Sequence, residues 1–273
     1  MRPGRVRGLG GPKFAAALAL GCVLADAQAG IARAADLVAT YSAYWAGLPA
    51  GQIRLQISDA AETYRDKIEI RSDGLPRLFT HFSGTAAAFG RIGSGRAPDP
   101  SRYDALYDLR KRRGVHVGMR FVVRDGAEWA ERSADDSSRK PPIAEKYRRD
   151  IVDPLTAFER IRSAILASHA APNAAFSVPV YDGARRFDIL GHILPKNRQT
   201  PGVLRIELNL RPIAGFKGES SDDGDPDNAP RPVALTMTDD ARLLPISIAV
   251  RVFYLPLVVQ LDRVCLAAKS CSG

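Results

Sequence analysis

The stretch LVATYSAYWAGLPAGQIRLQI, Leu37–Ile57, decides the fold. In its first half Leu37, Ala39, Tyr41, Ala43 and Trp45 alternate with Val38, Thr40, Ser42 and Tyr44. In its second half Ile53, Leu55 and Ile57 alternate with Gln52, Arg54 and Gln56. Successive side chains on a strand point to opposite faces, so a period of two predicts strands with one buried and one wet face. Gly47-Leu48-Pro49-Ala50-Gly51 supplies the turn between them.

The same pattern extends in both directions along the chain. Tyr64–Ser72 is a third strand, with Ile68 and Ile70 opposed to Lys67, Glu69 and Arg71. Within Leu75–Gly95, Gly84 and Gly90 argue against a long helix, and Phe82, Gly84, Ala86 and Ala88 form the small-residue face of a strand. Pro98 and Pro100 end that segment. Strands resume at Tyr103–Arg110, Val115–Arg124 and Ala127–Arg132, the last two hinged at Asp125-Gly126. Ser133–Pro142 reads as a loop. Ser177–Tyr181, Arg185–Leu190, Val203–Leu210, Val233–Met237, Pro245–Phe253 and Tyr254–Val264 read as strands, with a hairpin turn at Asp239-Asp240-Ala241-Arg242. The acidic stretch Glu219–Asn228 is expected to be a solvated loop.

One helix interrupts this series. Asp153 is placed to cap it, Pro154 suits its first position, and Leu155–His169 carries the period. At 100° per residue, Leu155, Phe158, Ile161, Ile165 and Leu166 fall within an arc of about 140°. A lone amphipathic helix among many strands plugs a curved sheet. The expected fold is mainly β: a single antiparallel, strongly curved sheet or incomplete β-barrel of about ten or more strands, wrapped around one α-helix.

The N-terminus reads as an export signal. Arg2, Arg5, Arg7 and Lys13 precede an apolar run, Phe14–Leu24, that is too short to span a bilayer. Ala32-Arg33-Ala34 is a small-residue cleavage pattern, so residues 1–34 are expected to be a signal peptide and 35–273 a single periplasmic domain. The chain carries +9 overall and about +5 without that leader. Such an excess suits peripheral contact with anionic lipid surfaces, and the compartment argues against nucleic acid. Cys265 and Cys271 are an even pair in an oxidising compartment and are expected to form a disulfide. Ala19-Leu20-Gly21-Cys22 distantly resembles a lipoprotein processing site, in which Cys22 would be acylated, although Ala19 stands where a larger aliphatic is usual.

No catalytic pattern emerges. His81, His116, His169 and His192 make no metal-ligand spacing, and His169 is explained by the dipole at a helix C-terminus. Gly93-Ser94-Gly95 is not a nucleophile elbow. Asp222-Asp223-Gly224-Asp225-Pro226-Asp227 has its glycine in the wrong place for an EF-hand loop. Neither a cofactor nor a metal is therefore expected. Arg162 is the exception among polar residues, because the helical period places it inside the apolar arc between Phe158 and Leu155. It must find a carboxylate of the sheet or hold an anionic headgroup in the concavity.

Several signatures coincide: Tyr41–Gly51, Asp153–Phe158 leading to Arg162, Val180-Tyr181-Asp182-Gly183 before Arg185-Arg186-Phe187, Pro212–Phe216, and Asp239–Pro245. Together they resemble a bacterial envelope family known as domain-of-unknown-function family 3108, over nearly all of the chain after the leader. The resemblance implies exported β-rich proteins, an open barrel around a helix similar in outline to the lipoprotein carriers of the periplasm. It implies no activity, substrate or catalytic residue.

These observations lead to a non-enzymatic periplasmic protein supporting envelope integrity, with a lipid or other apolar ligand in the concave face. An interaction module docking on an envelope membrane protein is the alternative, and a filled interior would favour it. A hydrolase of envelope material would require His, Asp and Glu side chains to converge in three dimensions.

Overall fold

The alternation in Leu37–Ile57 becomes two antiparallel strands, β1 (Leu37–Trp45) and β2 (Leu48–Asp59). Their turn is tighter than the glycines and proline suggested: Ala46 and Gly47 alone make it, with φ of 51° and 82°. A two-residue turn with both φ positive matches the twist of the flanking strands, and Leu48–Gly51 is thereby released to β2. The computed structural model describes residues 37–60, 62–74, 82–93, 97–109, 112–137, 143–216, 229–252 and 254–266. The leader with Cys22, His81, Ser94, Glu219–Asn228, Phe253 and Cys271 lie outside them.

Eleven further strands follow: β3 (Thr63–Ser72), β4 (Ser83–Arg91), β5 (Asp99–Leu109), β6 (Arg112–Arg124), β7 (Ala127–Arg132), β8 (Ala175–Tyr181), β9 (Arg186–Ile193), β10 (Val203–Ala214), β11 (Arg231–Thr238), β12 (Pro245–Val252) and β13 (Leu255–Leu266). All thirteen form one antiparallel sheet in the order β7-β6-β5-β4-β3-β2-β1-β13-β12-β11-β10-β9-β8. Each strand therefore pairs with its sequence neighbour, and β1 joins β13 at the centre. Pro100 lies within β5 instead of ending a segment, beside a register shift at Phe89/Gly90 of β4. A bulge is where a sheet tolerates proline.

The sheet does not close, because β7 and β8 are its two edges. The chain between them crosses the gap as a single extended segment. Arg149 bridges Trp129 of β7, and Val152 bridges Val180 of β8. Asp150 N donates to Glu128 O (2.8 Å), Val152 N to Pro179 O (2.9 Å), and Tyr181 N to Val152 O (2.8 Å). Ile151 and Val152 are fully buried. Both exposed edges thus receive partners from one strap, which limits their capacity to template aggregation.

The helix α1 (Pro154–Ala167) begins directly after that strap. Asp153 Oδ1 accepts from Leu155 N and Thr156 N at 2.9 Å each, which satisfies two of the free amides of the first turn. α1 ends two residues sooner than its apolar period. His169 follows the C-cap Ser168 with φ 51° and its N–H donates to Leu166 O (3.0 Å), at the C-terminal end of the helix as expected. Ala157, Ile161 and Ile165 pack on Val178, Val180, Leu204 and Ile206. The opposite flank is buried as well, with Thr156 and Glu159 each under 5 % exposed, whereas Leu166, expected in the apolar arc, is 50 % exposed. A helix of this length is marginal alone in water; enclosure by the sheet stabilises it. α1 rests on β4 and β8, and Gly90 of β4 leaves room for the Tyr64 ring, whose hydroxyl reaches Thr156 of the helix: a Cβ there would lie 2.4 Å from that ring.

Beside the strap, Arg160 Nη2 of α1 lies 3.7 Å from Glu128 Oε2, and Arg160 Nε donates to Pro98 O (2.9 Å). Burial pushes the Glu128 carboxyl up to about 7, against the pull of Arg160. A carboxyl whose folded pKa is raised favours the fold below its ordinary pKa and loses that contribution as pH rises through about 7. Glu128→Gln is expected to gain about 1–3 kcal/mol on the wild type between pH 5 and pH 8, read from urea midpoints at both values.

Candidate functional site

Inward-facing residues of the sheet enclose a pocket of about 720 Å³ in the concave face. Tyr41, Ile53, Leu55, Ile68, Ile70 and Val259 make one wall; Ala86, Tyr103, Ala105, Tyr107 and Val117 make the other. Pro154, Leu155 and Phe158, the first turns of α1, form its floor. The lining follows from period two: each strand contributes every second side chain to the interior. Three charged residues, Arg112, Asp182 and Arg185, join the lining at its rim. Arg185 Nε donates to Asp182 Oδ2 (3.0 Å) and its guanidinium stacks 5.5 Å from the Phe216 ring. Arg112 Nη2 donates to Ser137 O (3.1 Å). Asp182 thus offsets one of the two arginines, and the rim is left positive. The Tyr41 hydroxyl is buried with no hydrogen-bond partner among the described residues.

A polar network lies on the same helix further along, toward the β2–β3 hairpin. In β3, Tyr64 and Asp66 occupy the register that points Ile68 and Ile70 inward, and Asp59 continues the inward series of β2. Asp66 is fully buried. Glu159 and Arg162 meet these residues from α1. Arg162 Nη1 donates to Glu159 Oε1 and Oε2 (2.7 Å each) and lies 3.6 Å from Asp59 Oδ2, while its Nε donates to Arg242 O (3.1 Å). The Thr156 hydroxyl donates to Asp153 Oδ2 (2.5 Å), so the Tyr64 hydroxyl 2.5 Å away is the donor in their shared bond. Burial, reinforced by Glu159 and Asp59, pushes the Asp66 carboxyl up to about 9. Burial also raises Glu159, against the opposing effect of Arg162. Asp153 rises to about 6 for the same reason, although three hydrogen bonds favour its charged form.

Arg162 therefore faces carboxylates from both its own helix and the sheet, and it does not line the pocket. An anionic headgroup beside it would meet the carboxyl groups of Asp59, Asp66 and Glu159. Sequence periodicity located Arg162 correctly in the interior but did not show its partners. The signal for them was present: Asp59 and Asp66 each stand in register with isoleucines on a core face. Cys265 is buried on β13 opposite Val38 of β1, and Cys271 lies outside the described residues. The described histidines stay apart. His116 on β6 lies 3.3 Å from Asp135, His192 on β9 lies 3.5 Å from Glu207, and His169 follows α1.

No family model and no curated protein matches the sequence. Among solved structures, the chain is similar to the crystal structure of a β-barrel-like protein of domain of unknown function DUF1849 from Brucella abortus. The two are 11 % identical with a TM-score of 0.52, over 86 % of this chain and 99 % of that one. At such identity the likeness establishes a β-barrel-like fold and nothing about activity.

Removing the one guanidinium from this network leaves its carboxylates uncompensated. Arg162→Met is expected to cost about 3–5 kcal/mol in urea unfolding. Adding Glu159→Gln to that variant should recover part of the loss, since the paired charge is then also gone.

Proposed function

We propose that the protein is a non-enzymatic periplasmic protein that supports the cell envelope by holding a lipid or another apolar ligand in the concave face of its sheet. The observation that carries this reading is the pocket itself. Its volume of about 720 Å³ lies within the range of ligand sites, and its walls are almost wholly aliphatic and aromatic. Apolar surface left unfilled inside a sheet costs free energy in water, and an acyl chain would remove that cost. The unpartnered Tyr41 hydroxyl and the positive rim at Arg112 and Arg185 offer polar contacts to an amphiphile at two levels.

The export signal read in Arg2–Ala34 supports a periplasmic location, and membership of domain-of-unknown-function family 3108 belongs to the same proposal. So does the Cys265–Cys271 disulfide, which would pin the chain after β13. The interaction-module alternative called for a filled interior, whereas this interior retains a cavity.

Delipidated protein is expected to bind a fluorescent fatty acid saturably, with the probe's emission shifted as in an apolar medium. Ala86→Phe places a ring in the pocket and should weaken binding at least about tenfold, equivalent to 1.4 kcal/mol. Wild-type protein that takes up neither that probe nor radiolabelled envelope lipid extract overturns the carrier reading.

A further inference from the structure

We propose that Asp59, Asp66 and Glu159 form a binding site for a hard divalent cation of the Ca²⁺ class, buried between α1 and the β2–β3 hairpin. The three carboxylates each offer an oxygen, and those oxygens lie within 4.8 Å of one another. Oxygens bound to one ion at about 2.1–2.6 Å can stand no further apart than twice that distance, so the spread fits a single cation. All the donors are carboxylate oxygens. This set suits Ca²⁺, Mg²⁺ or Mn²⁺ and disfavours metals that prefer thiolate or imidazole.

Asp66 supplies the independent observation. It is fully buried, and as a carboxylate it receives no hydrogen bond from any donor among the described residues; Glu159 partners it only while the two share a proton. A buried polar atom without a partner is rare in a folded protein and costs a full desolvation penalty. Asp59 Oδ1 is in the same condition. Charge points the same way, because three carboxyl groups face one guanidinium and, once deprotonated, leave two negative charges that a divalent ion would neutralise. One proton shared by Asp66 and Glu159 would neutralise only half of them. The Asp59 side chain is 41 % exposed, so the site has an access route from solvent at the hairpin end. Arg162 acts as a positioning residue, fixing Glu159 through two hydrogen bonds of 2.7 Å.

The site is separate from the apolar pocket, so its test does not depend on ligand binding there. Protein stripped with EDTA is to be melted with and without millimolar Ca²⁺, Mg²⁺ or Mn²⁺, and titrated with Tb³⁺ under tyrosine excitation, Tyr64 standing two residues from Asp66. Binding is expected to raise the Tm by about 5 °C at a hundredfold excess over Kd and to give saturable Tb³⁺ emission. Asp66→Asn should abolish both effects while still folding, since its amide can donate to Glu159. A variant with Asp222, Asp223 and Asp225 all changed to Asn should keep both effects. Unchanged melting with no Tb³⁺ emission would show a cluster neutralised by protons alone and overturn the proposal. Cation binding that survives in Asp66→Asn would overturn it equally.

Discussion

A sheet of thirteen strands that does not pair its ends has two raw edges, and the chain resolves both with one short strap. Arg149–Val152 is too brief to be a strand, yet it hydrogen-bonds to β7 on one side and β8 on the other. The rest of the interior depends on where that strap delivers the chain. Asp153 follows it immediately, already buried, and caps a helix that can only run inside the curved sheet. The strap thus does for this sheet what strand pairing does for a closed barrel, and it adds the insertion point of the plug. A glutamate at this junction, Glu128, is held where ionisation opposes burial, so the seam is also where pH acts on the fold.

Burying a helix on more than one face changes what its polar residues must do. On a surface helix Thr156, Glu159 and Arg162 would face water. Here each is buried, and each meets a polar partner contributed by the strands or by the cap. Thr156 lies between Asp153 and Tyr64, and Glu159 between Arg162 and the aspartates of β2 and β3. The helix is therefore fixed in rotation as well as in depth. Turning it would part these pairs at the cost of burying charge unpaired, whereas sliding apolar side chains past one another costs less.

Much of the architecture was legible because alternation is a local signal. A single antiparallel sheet of more than ten strands and the one capped helix follow from period two, the Asp125-Gly126 turn and Asp153-Pro154. The strap was not legible: Arg149-Asp150-Ile151-Val152 has neither the length nor the alternation of a strand, and its hydrogen bonds come from two edges distant in sequence. The ends of α1 were blurred by Leu166, whose apolar character fitted the period although the helix leaves the interior there. Arg162 stood out because a cation in an apolar arc is anomalous. Asp59 and Asp66 did not, because polar residues in an alternating strand are assigned to the wet face unless the register is followed one residue at a time.

The pocket and the carboxylate cluster have a common origin in the width of the sheet. A curved sheet this large is wider than one helix can fill, and α1 leans toward β4 and β8. On β4 Ala88 packs in one cluster with Leu155 of the helix, whereas Gly84 and Ala86 line the space that stays open. The space left between helix and sheet is walled by β1, β2, β3 and β13 on one side and by β4, β5 and β6 on the other. Near the first turns of α1 that remaining space is lined by isoleucines, leucine and tyrosine and stays open as the apolar pocket. Toward the β2–β3 hairpin the same inward register carries Asp66 and Asp59, and the space is occupied by charge from Glu159 and Arg162. One helix placed off-centre in one sheet therefore yields two chemically opposite sites, and the residue at each inward register position decides which of them forms.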